Sequence, residues 1–87
     1  MTEPRDTRLK RLQMRSMRRG IKEMDIILSR FADARLEQLD QRDLDLYDAL
    51  LSENDQDLYQ WVTGQLPAPA TYTDLIDRIA DLVSARG

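Results

Sequence analysis

Apolar side chains recur at three- and four-residue spacing in five separate stretches, and no alternating strand pattern competes with them. That period is one face of an α-helix, so the chain is constrained to bury a set of helical stripes against one another. The first helix is expected over about 5–18, after Thr2 and Pro4, with a thin stripe of Leu9, Leu12 and Met17. The second runs about 21–38 on Met24, Ile27, Leu28 and Phe31. The third runs about 41–51, capped by Asp40, with Leu44, Tyr47, Leu50 and Leu51 facing inward. A short fourth spans about 55–63, capped by Asn54 and stopped by Gly64, and carries Leu58, Trp61 and Val62. After the turn-rich "QLPAPAT", the fifth runs about 73–85 on Leu75, Ile76, Ile79, Leu82 and Val83.

Helices on such short connections pack against their neighbours. The expectation is an all-α, compact five-helix bundle, a single small domain over 1–87 with 1–4 flexible and 84–87 frayed. No apolar run nears the ~18 residues of a membrane span. The N-terminus has no hydrophobic signal core, and Glu3 and Asp6 interrupt its arginines. A cytoplasmic protein, or a mature mitochondrial matrix protein, is the expectation, with no membrane insertion.

The chain has no cysteine and no histidine. Disulfides, thiolate nucleophiles, Cys/His zinc sites and imidazole bases are therefore excluded. Catalysis would have to rest on carboxylates, lysines or tyrosines with strongly shifted pKa values, in a domain with few deep places to shift them. The expectation is no enzyme, no catalytic residues and no metal. Glu53, Asp55 and Asp57 lack the glycine and distal glutamate of an EF-hand loop and are read as helix capping and solvated charge.

Charge is unevenly spread. Residues 1–22 hold eight basic and two acidic residues, and residues 23–87 hold five basic and fourteen acidic, for the net −3 of the whole chain. A basic helix is thus attached to an acidic body. Arg5, Arg8, Arg11 and Arg15 at helical spacing make a small nucleic-acid-binding protein the rival function. The acidic body opposes a broad phosphate footprint, and no aromatic residue is interleaved for stacking. A solvated helix that steers a protein partner is the more economical reading.

Between these two regions lies "RRGIKEMD", residues 18–25. Physically, Gly20 reads as a left-handed helix corner, or as the N-cap of the second helix with Glu23 at its third position. Arg18 and Arg19 are then solvated charges, Arg19 has no intramolecular task beyond Glu23, and Arg19→Ala leaves the bundle folded. Trp61 is read as core, and Tyr59, turned away from that face, as a partner contact.

Arg19-Gly20-Ile21-Lys22-Glu23 resembles the RGxxE motif of the SdhE-type FAD assembly factors, and "LLSENDQDLYQWV", residues 50–62, resembles that family's second signature. The similarity covers roughly residues 8–83, with Gln56 standing where a proline is common in relatives. The resemblance implies a five-helix bundle that acts as a chaperone. Its partner would be the flavoprotein subunit of succinate dehydrogenase, in bacteria also of fumarate reductase, to which it promotes covalent FAD attachment. It implies partner-binding roles for Arg19, Gly20 and Glu23, and the neighbouring Arg18 and Asp25, with Tyr59, complete the expected partner-binding set. It implies no cofactor of the chain's own and a monomer when free.

Overall fold

The computed structural model describes residues 3–84, so the expectations for residues 1, 2 and 85–87 lie outside the described residues. Five helices follow in order: α1 Arg5–Arg15, α2 Lys22–Arg35, α3 Gln41–Leu50, α4 Asp55–Val62 and α5 Thr73–Ser84. Single 3₁₀ turns occur at Leu36–Gln38 and Ala70–Tyr72, and there is no strand among the described residues. The all-α bundle expected from the periodicity is the fold observed.

Two of the expected caps form. The Asp43 N–H donates to Asp40 Oδ1 at 2.8 Å, and the Gln56 N–H to Asn54 Oδ1 at 2.8 Å. Each satisfies a helix-end amide that would otherwise lack a partner, a contribution of about 1 kcal/mol. Gly64 ends α4 at φ 82°, a left-handed conformation that a side chain would strain.

The core gathers around α2, which contacts α1, α4, α5 and the Leu36–Gln38 turn. Met24, Leu28 and Phe31 meet Leu44, Tyr47 and Leu50 of α3, Leu58 of α4, and Leu75, Ile76 and Ile79 of α5. The Phe31 and Tyr47 rings lie 5.5 Å apart and tilted by 42°. Trp61 departs from its expected place. It is half-buried at the core's edge, stacked at 6.1 Å on the ring of Tyr72, which is itself buried. Tyr59 likewise does not point clear of the body but packs against the core's margin.

α1 is held differently from expectation. It ends at Arg15, so Met17 falls outside its stripe and is 39% exposed. Leu12 is its one buried residue, with Leu9 half-buried. The arginines expected to be solvated instead dock it. Arg8 meets Asp45 at 2.5 Å, Arg11 meets Asp48 at 2.9 Å and Glu3 at 3.0 Å, and Arg15 bonds Asp48 and, at 3.0 Å, Ser52. Arg5 donates to the carbonyls of Glu37 (2.9 Å) and Leu39 (3.1 Å). Two stripes of the same helical period and opposite sign thus face one another. Hydrogen bonding from Arg11 holds the carboxyls of Asp48 and Glu3 below their usual range and raises the pKa of Arg11 in turn.

Where α1 ends, Ser16 is fully buried. Its hydroxyl lies 2.8 Å from the Leu12 carbonyl and 2.6 Å from the Tyr47 hydroxyl. Burial pushes the Tyr47 phenol up to about 12, moderated by its hydrogen bond to Ser16.

Candidate partner-binding site

The chain turns between α1 and α2 without help from a left-handed glycine. Arg18 takes that conformation, at φ 55°, whereas Gly20 does not. Arg18 is held there because its N–H donates to Asp25 Oδ2 at 2.9 Å, while Asp25 Oδ1 accepts from Ser29 Oγ at 3.3 Å. Gly20 is not an N-cap either. Ile21 occupies that position at φ −115°, and no side chain caps it. Glu23 therefore sits one position earlier in the helix than a capping box needs. It is exposed and makes no side-chain hydrogen bond among the described residues.

Arg19 is the largest departure. Its side chain is 11% exposed and paired with Asp55, 16% exposed, at 2.7 Å. Its Nε donates to the same carboxylate at 2.9 Å, Nη1 to the Arg15 carbonyl at 2.9 Å and Nη2 to the Leu51 carbonyl at 3.1 Å. The arginine thus has a demanding intramolecular task, and its partner is Asp55 rather than Glu23. Asp55 in turn accepts the Gly20 N–H at 2.6 Å, so it does more than the capping and solvation expected of it. One carboxylate at the start of α4 clasps two consecutive residues of the α1–α2 corner.

The clasp brings two walls together. Ile21 on the corner side, and Gln56, Tyr59, Gln60 and Gln65 on the α4 side, line a shallow cleft of about 200 Å³. Arg18, Gly20, Lys22 and Glu23 stand exposed beside it. Of the six residues singled out from the sequence, Arg18, Gly20, Glu23 and Tyr59 are thus available to a partner. Arg19 and Asp25 are turned into the corner that presents them. Gln56, Gln60 and Asp55 were not singled out. Only a partial signal for Asp55 lies in the sequence: Arg8, Arg11 and Arg15 pair with Asp45, Asp48 and Ser52, each 37 residues on, whereas Arg19 and Asp55 are 36 apart.

The cleft is amide-rich and carries no charged lining, a surface suited to hydrogen bonding with another protein. Among the described residues no group of acidic side chains is arranged to hold a metal ion. Among the described residues no helix is long and apolar enough to cross a membrane. The rival reading of α1 as a phosphate-gripping helix meets guanidinium groups already committed to carboxylates and carbonyls.

Residues 10–83 match a protein family described as flavinator of succinate dehydrogenase. The chain is 49% identical over 75 residues to succinate dehydrogenase assembly factor 2, mitochondrial, of Meyerozyma guilliermondii, an alignment covering 83% of this chain and 56% of that one. It is 40% identical over 78 residues to the protein of the same name from Drosophila grimshawi (86% and 53% covered). The corresponding protein of Saccharomyces cerevisiae is 44% identical over 61 residues (70% and 38% covered). The chain thus spans about half or less of the length of these relatives.

Proposed function

Because the chain belongs to the flavinator of succinate dehydrogenase family, we propose that it is an assembly factor that binds the flavoprotein subunit of succinate dehydrogenase and promotes covalent attachment of FAD to it. The observation carrying this reading is the match over residues 10–83, which takes in both the Arg19–Glu23 corner and the α4 wall of the cleft. Arg18, Gly20, Glu23 and Tyr59 meet the partner, and Arg19 and Asp25 hold the corner in shape. A fumarate reductase flavoprotein is taken by the same surface, and the free factor is a monomer.

The factor is a chaperone and not an enzyme. Lacking histidine and cysteine, it has neither an imidazole to move protons near neutral pH nor a thiolate to attack the flavin. Its contribution is to hold the partner so that flavin and acceptor side chain meet in a reactive geometry, an effect of orientation. It works where that flavoprotein folds, the mitochondrial matrix in a eukaryote or the cytoplasm in a bacterium. Flavin fluorescence of the denatured flavoprotein band on a gel, with and without the factor, tests the proposal. Covalent flavin is expected to fall sharply without it. An equal signal in cells lacking this factor and its paralogues would refute the reading.

A further inference from the structure

We propose that Asp55 is a positioning residue for the partner-binding corner, and that Gly20 is a glycine because of Asp55. The inference rests on the reading of this corner as the flavoprotein contact. Three explanations could account for a glycine here: a left-handed backbone, a partner approaching the bare backbone, or a crowding neighbour within the chain. The first fails, since the φ of Gly20 lies outside the left-handed region. The third has a named atom. A Cβ on Gly20 would stand 3.2 Å from Asp55 Oδ2, tighter than ordinary contact, and among the described residues no other atom of a non-adjacent residue lies within 4 Å of it.

Asp55 yields to that Cβ only by straining its own bonds. Its Oδ1 accepts from Arg19 Nε at 2.9 Å and ion-pairs with Arg19 Nη2 at 2.7 Å, and its Oδ2 accepts the Gly20 N–H at 2.6 Å. Arg19 is itself anchored on the Arg15 and Leu51 carbonyls. A carboxylate held at both oxygens is a stiff obstacle, and a charge-assisted bond is costly to lengthen. Asp55 opens α4, and Gln56, Tyr59 and Gln60 follow it on the cleft wall that faces Ile21. Pushing Asp55 away from residue 20 therefore shifts the Ile21 wall against the α4 wall. The clasp sets the cleft's width, and the glycine is the space that the clasp requires.

A double-mutant cycle on the whole chain decides this. Gly20→Ala, Asp55→Ser and the double variant are compared with the parent in affinity for the purified flavoprotein subunit, well below every unfolding midpoint. Gly20→Ala and Asp55→Ser are each expected to weaken binding about tenfold, and the double variant no more than Asp55→Ser alone, because the shorter serine removes the obstacle. If the two losses multiply, Gly20 answers to the partner's approach and the proposal is overturned. Asp55→Asn keeps an acceptor for the Gly20 N–H and is expected to bind more tightly than Asp55→Ser; equal loss in both would also overturn it. Should the parent chain not bind the flavoprotein at all, the proposed function fails separately. The same cycle read on unfolding midpoints then tests the clasp, again by non-additivity. If the Asp55 variants do not fold, hydrogen exchange of the parent chain decides. The Gly20 amide, on an exposed residue, is expected to be protected, and solvent-rate exchange would overturn the proposal.

Discussion

Replacing Arg19 by alanine removes a guanidinium with three intramolecular acceptors: the Asp55 carboxylate and the carbonyls of Arg15 and Leu51. The side chain is 11% exposed and its carboxylate partner 16% exposed, so water screens the pair little. A hydrogen bond to a charged group contributes about 1.5–3 kcal/mol net, and removing one member of a buried ion pair costs about 3–5 kcal/mol. Asp55 would retain the Gly20 N–H as a donor, which places the loss near the lower end, at about 3 kcal/mol. A domain of this size has a total stability of about 4–13 kcal/mol, so the change is a large fraction of it. At about 4–8 °C per kcal/mol, the thermal midpoint should fall by about 12–24 °C. Thermal unfolding followed by far-ultraviolet circular dichroism, with urea unfolding as a check that the slope is unchanged, measures it. Arg19→Lys should recover only part of the loss, since a single ammonium cannot reproduce the planar fork. A midpoint for Arg19→Ala within about 3 °C of the parent would refute the argument, because it would mean that the guanidinium is not held as described.

Glu23 offers a cleaner probe of partner binding. It is exposed and bonded to nothing among the described residues, so Glu23→Ala should change stability by less than about 0.5 kcal/mol while lowering covalent flavin yield. Full flavinylation by that variant would remove Glu23 from the interface. At low pH, Asp48 should contribute visibly to acid unfolding. Its folded pKa is lowered by hydrogen bonding to Arg11, so its stabilisation is complete above the ordinary carboxylate range and is lost as pH falls below about 4. Asp48→Asn should flatten that part of a stability–pH curve, and an unchanged acid limb would count against the docking of α1. At high pH the sign reverses for Tyr47. Its folded pKa is raised to about 12, so unfolded chains ionise first and stability should fall from about pH 10 upward. Tyr47→Phe should lessen that fall, read from urea midpoints at pH 9 and about 11.

Local order and the inward faces of the helices could be read directly from the chain. Five helices, the Asp40 and Asn54 caps, the Gly64 stop and the buried positions of α2, α3 and α5 all follow from spacing and near-neighbour chemistry, which act over a few residues. The Arg19–Glu23 motif was equally visible as a pattern. Its mechanics were not, for one physical reason. Arg19 has no evident partner in the sequence beyond Glu23 because its actual partner lies 36 residues away. From the sequence Gly20 reads as a left-handed helix corner or an N-cap, because the crowding atom, Asp55 Oδ2, belongs to another helix. Arg18 took the left-handed position because Asp25 accepts its amide, a bond that exists only once the corner has closed. Basic and acidic residues share one helical period in this chain, so many pairings are compatible with the sequence. Packing selects among them: with Leu12 and Ser16 seated against the core, the arginines of α1 reach Asp45 and Asp48, and Arg19, in the corner beyond that helix, reaches Asp55. Helical faces follow from short-range geometry, whereas the identity of a charge's partner depends on which surfaces the core has already brought together.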